Sequence, residues 1–192
     1  RQTLFFIIFS TNLYASNIKK VYFAGGCFWC MEESFDKVEG VIETISGYSG
    51  GHVKNPKYKD VVKNTTGHYE TLEIIYDPSI TNFEKLLEIF WVNIDPFDAD
   101  GQFCDKGESY KSVVFYENSD QKKIIETSIK NIENKFNKKV VTYVKNFKEF
   151  YMAETYHQDY YEKNFIRYLM YKKGCQREEV LNKIWGWKKY LF

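Results

Sequence analysis

Gly25-Gly26-Cys27-Phe28-Trp29-Cys30 sets two thiols three residues apart, just after a β-branched and aromatic run (Val21, Tyr22, Phe23) and just before a helical pattern. A thiol at a strand-to-helix turn feels the positive end of the helix dipole, which favours the thiolate, its nucleophilic form. Two glycines let the backbone turn sharply and leave the sulfur uncovered. Phe28 and Trp29 put an apolar wall beside it. The combination suits attack on something small and partly greasy. Four cysteines are present, Cys27, Cys30, Cys104 and Cys175, so two structural bridges in any of three connectivities are the bland alternative. A Cys27–Cys30 loop is too short to stabilise much. Redox chemistry, with one sulfur attacking and another resolving, explains the spacing better. Zinc fits poorly, because a second paired motif is missing and His52, His68 and His157 are isolated.

Other candidates are weaker taken singly. Glu70, in Gly67-His68-Tyr69-Glu70, leads into a strand. A carboxyl buried there has a raised pKa and can act as a general acid near neutrality; an ordinary exposed strand glutamate is the alternative. Tyr58 and Tyr110 are hydroxyl donors in loops, two among sixteen tyrosines, and Asp105 lies beside Cys104.

The elements that must position these groups are legible from periodicity. Strands are expected at 21–24, 41–47, 69–76, 112–116 and 140–144, and helices at 28–38, 81–92, 119–136 and about 153–164. Thr81-Asn82-Phe83-Glu84 has the form of a capping box. Long loops at 47–67 and 95–107 are natural carriers of function. The order is not a strict βαβαβ rhythm, so the fold expected is α+β: a single domain, 17–192, with a mixed β-sheet packed against helices and an irregular C-terminal segment. At 192 residues with a net charge of +1 and scattered lysines, the chain suits one well-filled domain and offers no nucleic-acid-binding patch. Residues 1–16 read as the remnant of a secretory signal peptide, with an apolar run from Leu4 to Phe9 behind Arg1 and a small-residue site at Leu13-Tyr14-Ala15. An irregular apolar arm or lipid-facing anchor is the alternative. The run is too short to span a bilayer. On the signal reading the mature protein is periplasmic or secreted, and otherwise cytoplasmic; no feature calls for more than a monomer.

In order along the chain stand Gly25-Gly26-Cys27-Phe28-Trp29-Cys30-Met31-Glu32, Gly47-Tyr48-Ser49-Gly50-Gly51, Asn55-Pro56-Lys57-Tyr58 and Gly67-His68-Tyr69-Glu70. Gly101-Gln102-Phe103-Cys104-Asp105-Lys106-Gly107, Tyr110-Lys111-Ser112 and Ala153-Glu154-Thr155-Tyr156-His157-Gln158 follow. This collinear set, from about Val21 to Gly186, resembles the A-type peptide-methionine sulfoxide reductase family. The resemblance implies a ferredoxin-like two-layer core and reduction of methionine-S-sulfoxide, free or in proteins. It implies Cys27 as nucleophile, Glu70 as the acid that protonates the sulfoxide oxygen, and Tyr58 and Tyr110 as hydrogen-bond donors to that oxygen. Phe28 and Trp29 would hold the S-methyl group, and Asp105 would support the site. Methionine leaves and Cys27 becomes a sulfenic acid. No cofactor or metal is implied, and the reductant is a thioredoxin-like dithiol.

Many relatives resolve the sulfenic acid with cysteines in a Gly-rich tail, which this chain lacks. Cys175, beside Gly174, ranks first as resolver, Cys30 second, and Cys104 is a direct or relaying third. Two rival functions differ in class. A general disulfide oxidoreductase built on Cys27 and Cys30 would reduce insulin disulfides unaided, and a secreted binding domain would keep all four cysteines in fixed bridges.

Overall fold

The computed structural model describes residues 17–186; the signal-peptide reading of 1–16 lies outside them. In chain order the strands and helices are β1 (Lys19–Gly25), α1 (Phe28–Phe35), β2 (Val41–Ser49), α2 (Tyr58–Val61), β3 (Tyr69–Tyr76) and α3 (Phe83–Val92). Then come the two-residue strands β4 (Gly101–Gln102) and β5 (Asp105–Lys106), β6 (Ser112–Tyr116), α4 (Ser119–Phe136), β7 (Tyr143–Asn146) and β8 (Phe150–Met152). Three helices close the chain: α5 (Tyr160–Lys163), α6 (Phe165–Gly174) and α7 (Arg177–Trp185).

The main sheet runs β7-β6-β1-β3-β2-β8. Its neighbours are antiparallel except β6 and β7, which are parallel. Taken alone, β1-α1-β2-β3-α3-β6 is the ferredoxin-like split βαβ, with spatial order β6-β1-β3-β2. Alternation along the strands decides the faces. Val21 and Phe23 of β1, Leu72 and Ile74 of β3 and Val114 of β6 point to one side, where α1, α3 and α4 cover them with Phe35, Leu86, Phe90 and Ile125. Tyr22, Ala24, Tyr69, Val113 and Phe115 point to the other, under Phe147 and Phe150.

Phe90 is fully buried and its ring centre lies 5.0 Å from that of Phe23. Replacing it with alanine deletes a large ring that the rigid sheet cannot replace. Urea denaturation of Phe90→Ala should show a loss of about 3–5 kcal/mol; a loss under about 1 kcal/mol would mean that the helical layer collapses freely.

Several boundaries differ from expectation, each for a local reason. The first helix ends at Phe35 rather than Val38, and the chain turns through Gly40 at φ +89°. Asn82, not Thr81, caps α3, its Oδ1 accepting from the Lys85 amide at 2.9 Å. Thr81 is buried just outside the helix. The strand expected at 140–144 is shifted to 143–146, because Val140 packs into the helical core and the Val141 amide donates to the Pro96 carbonyl. The stretch expected as one helix at 153–164 is a 3-10 turn, Thr155–His157, and then α5. Gln158 interrupts it by pairing its amide with the Ser46 backbone on β2, while Asp159 takes φ +54°. The C-terminal segment is helical, not irregular: α6 and α7 bury only Tyr168, Arg177, Leu181 and Trp185, too few apolar anchors for periodicity to reveal.

Candidate active site

The turn from β1 into α1 sets the central sulfur. Gly26 takes φ +81°, and a Cβ there would stand 2.5 Å from Cβ of Gln102; only glycine suits the turn. Cys27 is the N-cap of α1, and its carbonyl accepts from the Cys30 and Met31 amides. Across β3, Glu70 is the first residue of the row that continues as Leu72 and Ile74, so it points to the helical side beneath the start of α1. There its Oε2 accepts from the Phe28 amide at 3.1 Å. A 3-10 turn, Glu108–Tyr110, brings in Tyr110, α2 brings Tyr58, and the β4–β5 hairpin brings Asp105.

These groups meet. A pocket of about 80 Å³ is lined by Cys27, Phe28, Trp29, Tyr58, Glu70, Asp105, Tyr110 and Tyr171. All seven residues read from the sequence as catalytic or substrate-binding are in it. Tyr58, Glu70 and Tyr110 lie together in its wall. Trp29 stacks on Tyr160 with ring centres 3.8 Å apart and donates its indole N–H to His157 Nδ1 at 3.2 Å. Glu154 holds Tyr58 from behind, accepting from its amide at 3.0 Å and from the Tyr48 hydroxyl at 2.9 Å.

Sequence reasoning missed Tyr171, which projects from α6 and donates to Asp105 Oδ2. It also gave no place to His157, which is buried behind the pocket against the rings of Phe28, Trp29 and Tyr58, its pKa pushed down to about 4 by burial. The only hint of Tyr171 was its Tyr168-x-x-Tyr171 spacing just ahead of Cys175.

Electrostatics here follow from water exclusion. Burial pushes the Glu70 carboxyl well up, aided by nearby Asp105 and against the Phe28 amide, which favours its protonated form. Burial, with Glu70 close by, pushes Tyr58 up to about 12 and raises Tyr110 as well, leaving both hydroxyls able to donate. Asp105 is raised by burial, with the Tyr171 hydroxyl opposing. The two free thiols are buried together in one cluster with Tyr168. Burial, then Cys30, Glu70 and Asp105, push Cys27 well up. The hydrogen bond from Cys27, with Arg177, Tyr168 and Lys172, brings Cys30 down to about 7 against burial. Burial and the neighbouring Cys30 thus oppose the helix dipole at Cys27, while Cys30 is drawn the other way.

Cys175, ranked first as resolver, is joined to Cys104 by a disulfide with Cα atoms 4.9 Å apart, while Cys30, ranked second, touches Cys27. Cys104, Asp105 and Cys175 could offer three metal-ligand atoms within 4.8 Å of one another, but the disulfide occupies both sulfurs. No helix among the described residues is long and apolar enough to cross a membrane.

Residues 19–189 match the family model described as peptide methionine sulfoxide reductase. The peptide methionine sulfoxide reductase MsrA of Bacillus licheniformis is 47% identical over 168 residues, covering 86% of this chain and 93% of the relative. MsrA 2 of Staphylococcus aureus strain MW2 is 47% identical over 165 residues, 85% of this chain and 93% of its own. Among solved structures, reduced Mxr1 from Saccharomyces cerevisiae superposes with TM-score 0.71 at 29% identity, covering 77% of this chain and 86% of its own. Methionine sulfoxide reductase A of Corynebacterium diphtheriae gives 0.70 at 28%, covering 77% and 75%. Mxr1 has also been solved in complex with Trx2, at 21% identity and TM-score 0.51 with 74% and 84% covered. Fold, pocket and near half-identity over most of the chain agree, and the chain belongs to the peptide methionine sulfoxide reductase family, whose members are oxidoreductases that reduce methionine sulfoxide.

Proposed function

We propose that this pocket reduces the S epimer of methionine sulfoxide, with Cys27 as nucleophile and Glu70 as acid. The observation that carries the reading is the convergence of Glu70, Tyr58 and Tyr110 on one buried thiol, Cys27, within a single small pocket. The sulfoxide oxygen sits against Tyr58 and Tyr110, whose hydroxyls take up its growing negative charge. Phe28 and Trp29 receive the S-methyl group, so that only one epimer presents its sulfur to Cys27. Cys27 gives its proton to the adjacent Cys30 as Cys27 Sγ bonds to the sulfoxide sulfur. Glu70 delivers its own proton to the sulfoxide oxygen, neutralising the negative charge that attack builds there. The protonated oxygen then passes from the substrate sulfur to Cys27 Sγ while the new sulfur–sulfur bond breaks, so methionine departs with that electron pair and Cys27 is left as a sulfenic acid.

Asp105 and Tyr171 position rather than react, Asp105 keeping the tyrosine at the pocket rim. Cys30 then attacks the sulfenic acid, forming a Cys27–Cys30 disulfide and releasing water. Its contact with Cys27 favours it over Cys175 for this first step. Cys104 and Cys175, on the exposed hairpin and the end of α6, pass the oxidising equivalents on to a thioredoxin-like dithiol; the Mxr1–Trx2 complex supports a donor of that class. If residues 1–16 direct secretion, the donor is an envelope thioredoxin-like domain, and full-length protein found solely in the cytosol would count against it.

The test uses peptides carrying separate S and R sulfoxide epimers with dithiothreitol as reductant. The S epimer should turn over at least about 100-fold faster, the scale on which a shaped pocket discriminates. Equal rates, or none, would sink the mechanism.

A further inference from the structure

The Cys27–Cys30 pair separates two openings. Cys27 lines the substrate pocket and Cys30 does not. Cys30 lines a second cavity, about 310 Å³, with Ser34 from α1, Lys37 just beyond it, Asn93 at the end of α3, Lys172 from α6 and Arg177 at the start of α7; Cys27 takes no part in it. The cavity walls carry three cations, Lys37, Lys172 and Arg177, against the carboxylates of Glu33 and Glu178. Glu33 pairs with both lysines, at 3.3 and 2.7 Å, and Glu178 with Lys172 at 3.5 Å. Arg177 is 4% exposed, donates to the Asn93 carbonyl at 2.5 Å and to the Met31 sulfur at 3.5 Å, stands over the Phe103 ring at 4.4 Å, and has no salt-bridge partner among the described residues. With both lysines paired to carboxylates, this guanidinium leaves the cavity wall with an unbalanced positive charge, which favours an anion.

We propose that this rear cavity admits a low-molecular-weight thiol carrying carboxylate groups, which reduces the Cys27–Cys30 disulfide by attacking the Cys30 sulfur. The inference rests on the mechanism above, in which that disulfide forms. Thiol–disulfide exchange is an in-line displacement, so the attacking thiolate must approach one sulfur from the side opposite the other. With Cys27 facing the front pocket, the side of Cys30 away from Cys27 is the rear cavity. The incoming thiolate forms a bond to Cys30 Sγ while the Cys27–Cys30 bond breaks, and Cys27 leaves with the electron pair and regains its proton. A second thiolate attacks the bound small thiol, giving the symmetric small disulfide and freeing Cys30. Two thiols are oxidised and one enzyme disulfide is reduced. The volume is at the small end for ligand sites, about 300 Å³, so it holds a thiol of tripeptide size or less and excludes the folded face of a protein dithiol. Substrate and small reductant then use different doors.

The test uses Cys104→Ser/Cys175→Ser enzyme, which lacks the surface pair, with and without Lys37→Glu/Lys172→Glu. Peptide sulfoxide turnover is measured with mercaptosuccinate, an anionic thiol, and with cysteamine, a cationic one. Charge reversal should lower the mercaptosuccinate-to-cysteamine ratio of kcat/KM about tenfold or more; a ratio moved less than twofold overturns the proposal. A second measurement does not depend on turnover or on the lysine variants. Cys27→Ser/Cys104→Ser/Cys175→Ser protein, incubated folded with glutathione disulfide, should carry one glutathione on Cys30 by peptide mass spectrometry. An unmodified Cys30 in folded protein, with full labelling in urea, overturns it too. Single-turnover reduction of the S epimer by pre-reduced wild-type enzyme separates the two levels: its absence defeats the underlying mechanism, whereas its presence with an unmoved ratio defeats only the rear door.

Discussion

Cys27→Ser is expected to remove turnover entirely, a loss on the order of 10⁵-fold or more, the scale on which deleting a nucleophile acts in covalent enzymes. A serine hydroxyl keeps its proton far above neutrality and cannot hold the oxygen as a sulfenic acid. Neither partner that raises or shares the Cys27 proton, Cys30 or Glu70, can compensate, because neither reaches the substrate sulfur as the N-cap side chain does. The decisive readout is the first turnover: pre-reduced Cys27→Ser should form no methionine burst with any reductant. The fold should survive, since sulfur and oxygen differ little in size and Cys27 supports α1 through its carbonyl rather than its side chain. A burst from the variant would move the nucleophile elsewhere.

Glu70→Gln is expected to lower kcat/KM by about 10²–10⁴-fold, the range spanned by a positioned general acid. Glutamine keeps the side-chain oxygen that accepts from the Phe28 amide, so geometry is preserved and the proton is lost. The pH response has a definite sign. Burial raises the folded-state pKa of Glu70 above its unfolded value. Its stabilising contribution is therefore present below the unfolded pKa and is lost as pH climbs through the folded pKa. Wild-type activity and urea midpoint should both fall as the solution turns alkaline, and the midpoint of Glu70→Gln should fall less over the same interval. Activity within threefold of wild type, or parallel midpoint curves, would refute the acid role.

Sequence carried the chemistry further than the architecture around it. Tyr69–Tyr76, Ser112–Tyr116 and Ser119–Phe136 are found with the bounds that periodicity sets for them, since each is a regular element with one clearly apolar side. Taken singly, Glu70, Asp105 and the two tyrosines were no different from ordinary strand and loop residues; the seven front-pocket residues were named through the collinear set of motifs and the family it resembles. Tyr171 was not, because a tyrosine on a largely polar helix looks like surface until α6 is laid across Asp105. Nor could spacing reveal that Cys30 faces away from the substrate. That depends on α3, α6 and α7 meeting behind α1, and no local pattern encodes a meeting of three helices. The acid balance of the two thiols was hidden for the same reason, since Arg177 lies 147 residues downstream of Cys30.

The bond between Cys104 and Cys175 has a consequence beyond electron transfer. It closes a span of 71 residues, and a cross-link over that length removes about 4 kcal/mol of freedom from the unfolded chain. It also ties α6, which carries Tyr171, to the hairpin that carries Asp105. If the relay proposed above passes electrons through this bond, the tie opens and closes with each cycle, and resistance to unfolding rises and falls with the supply of reductant.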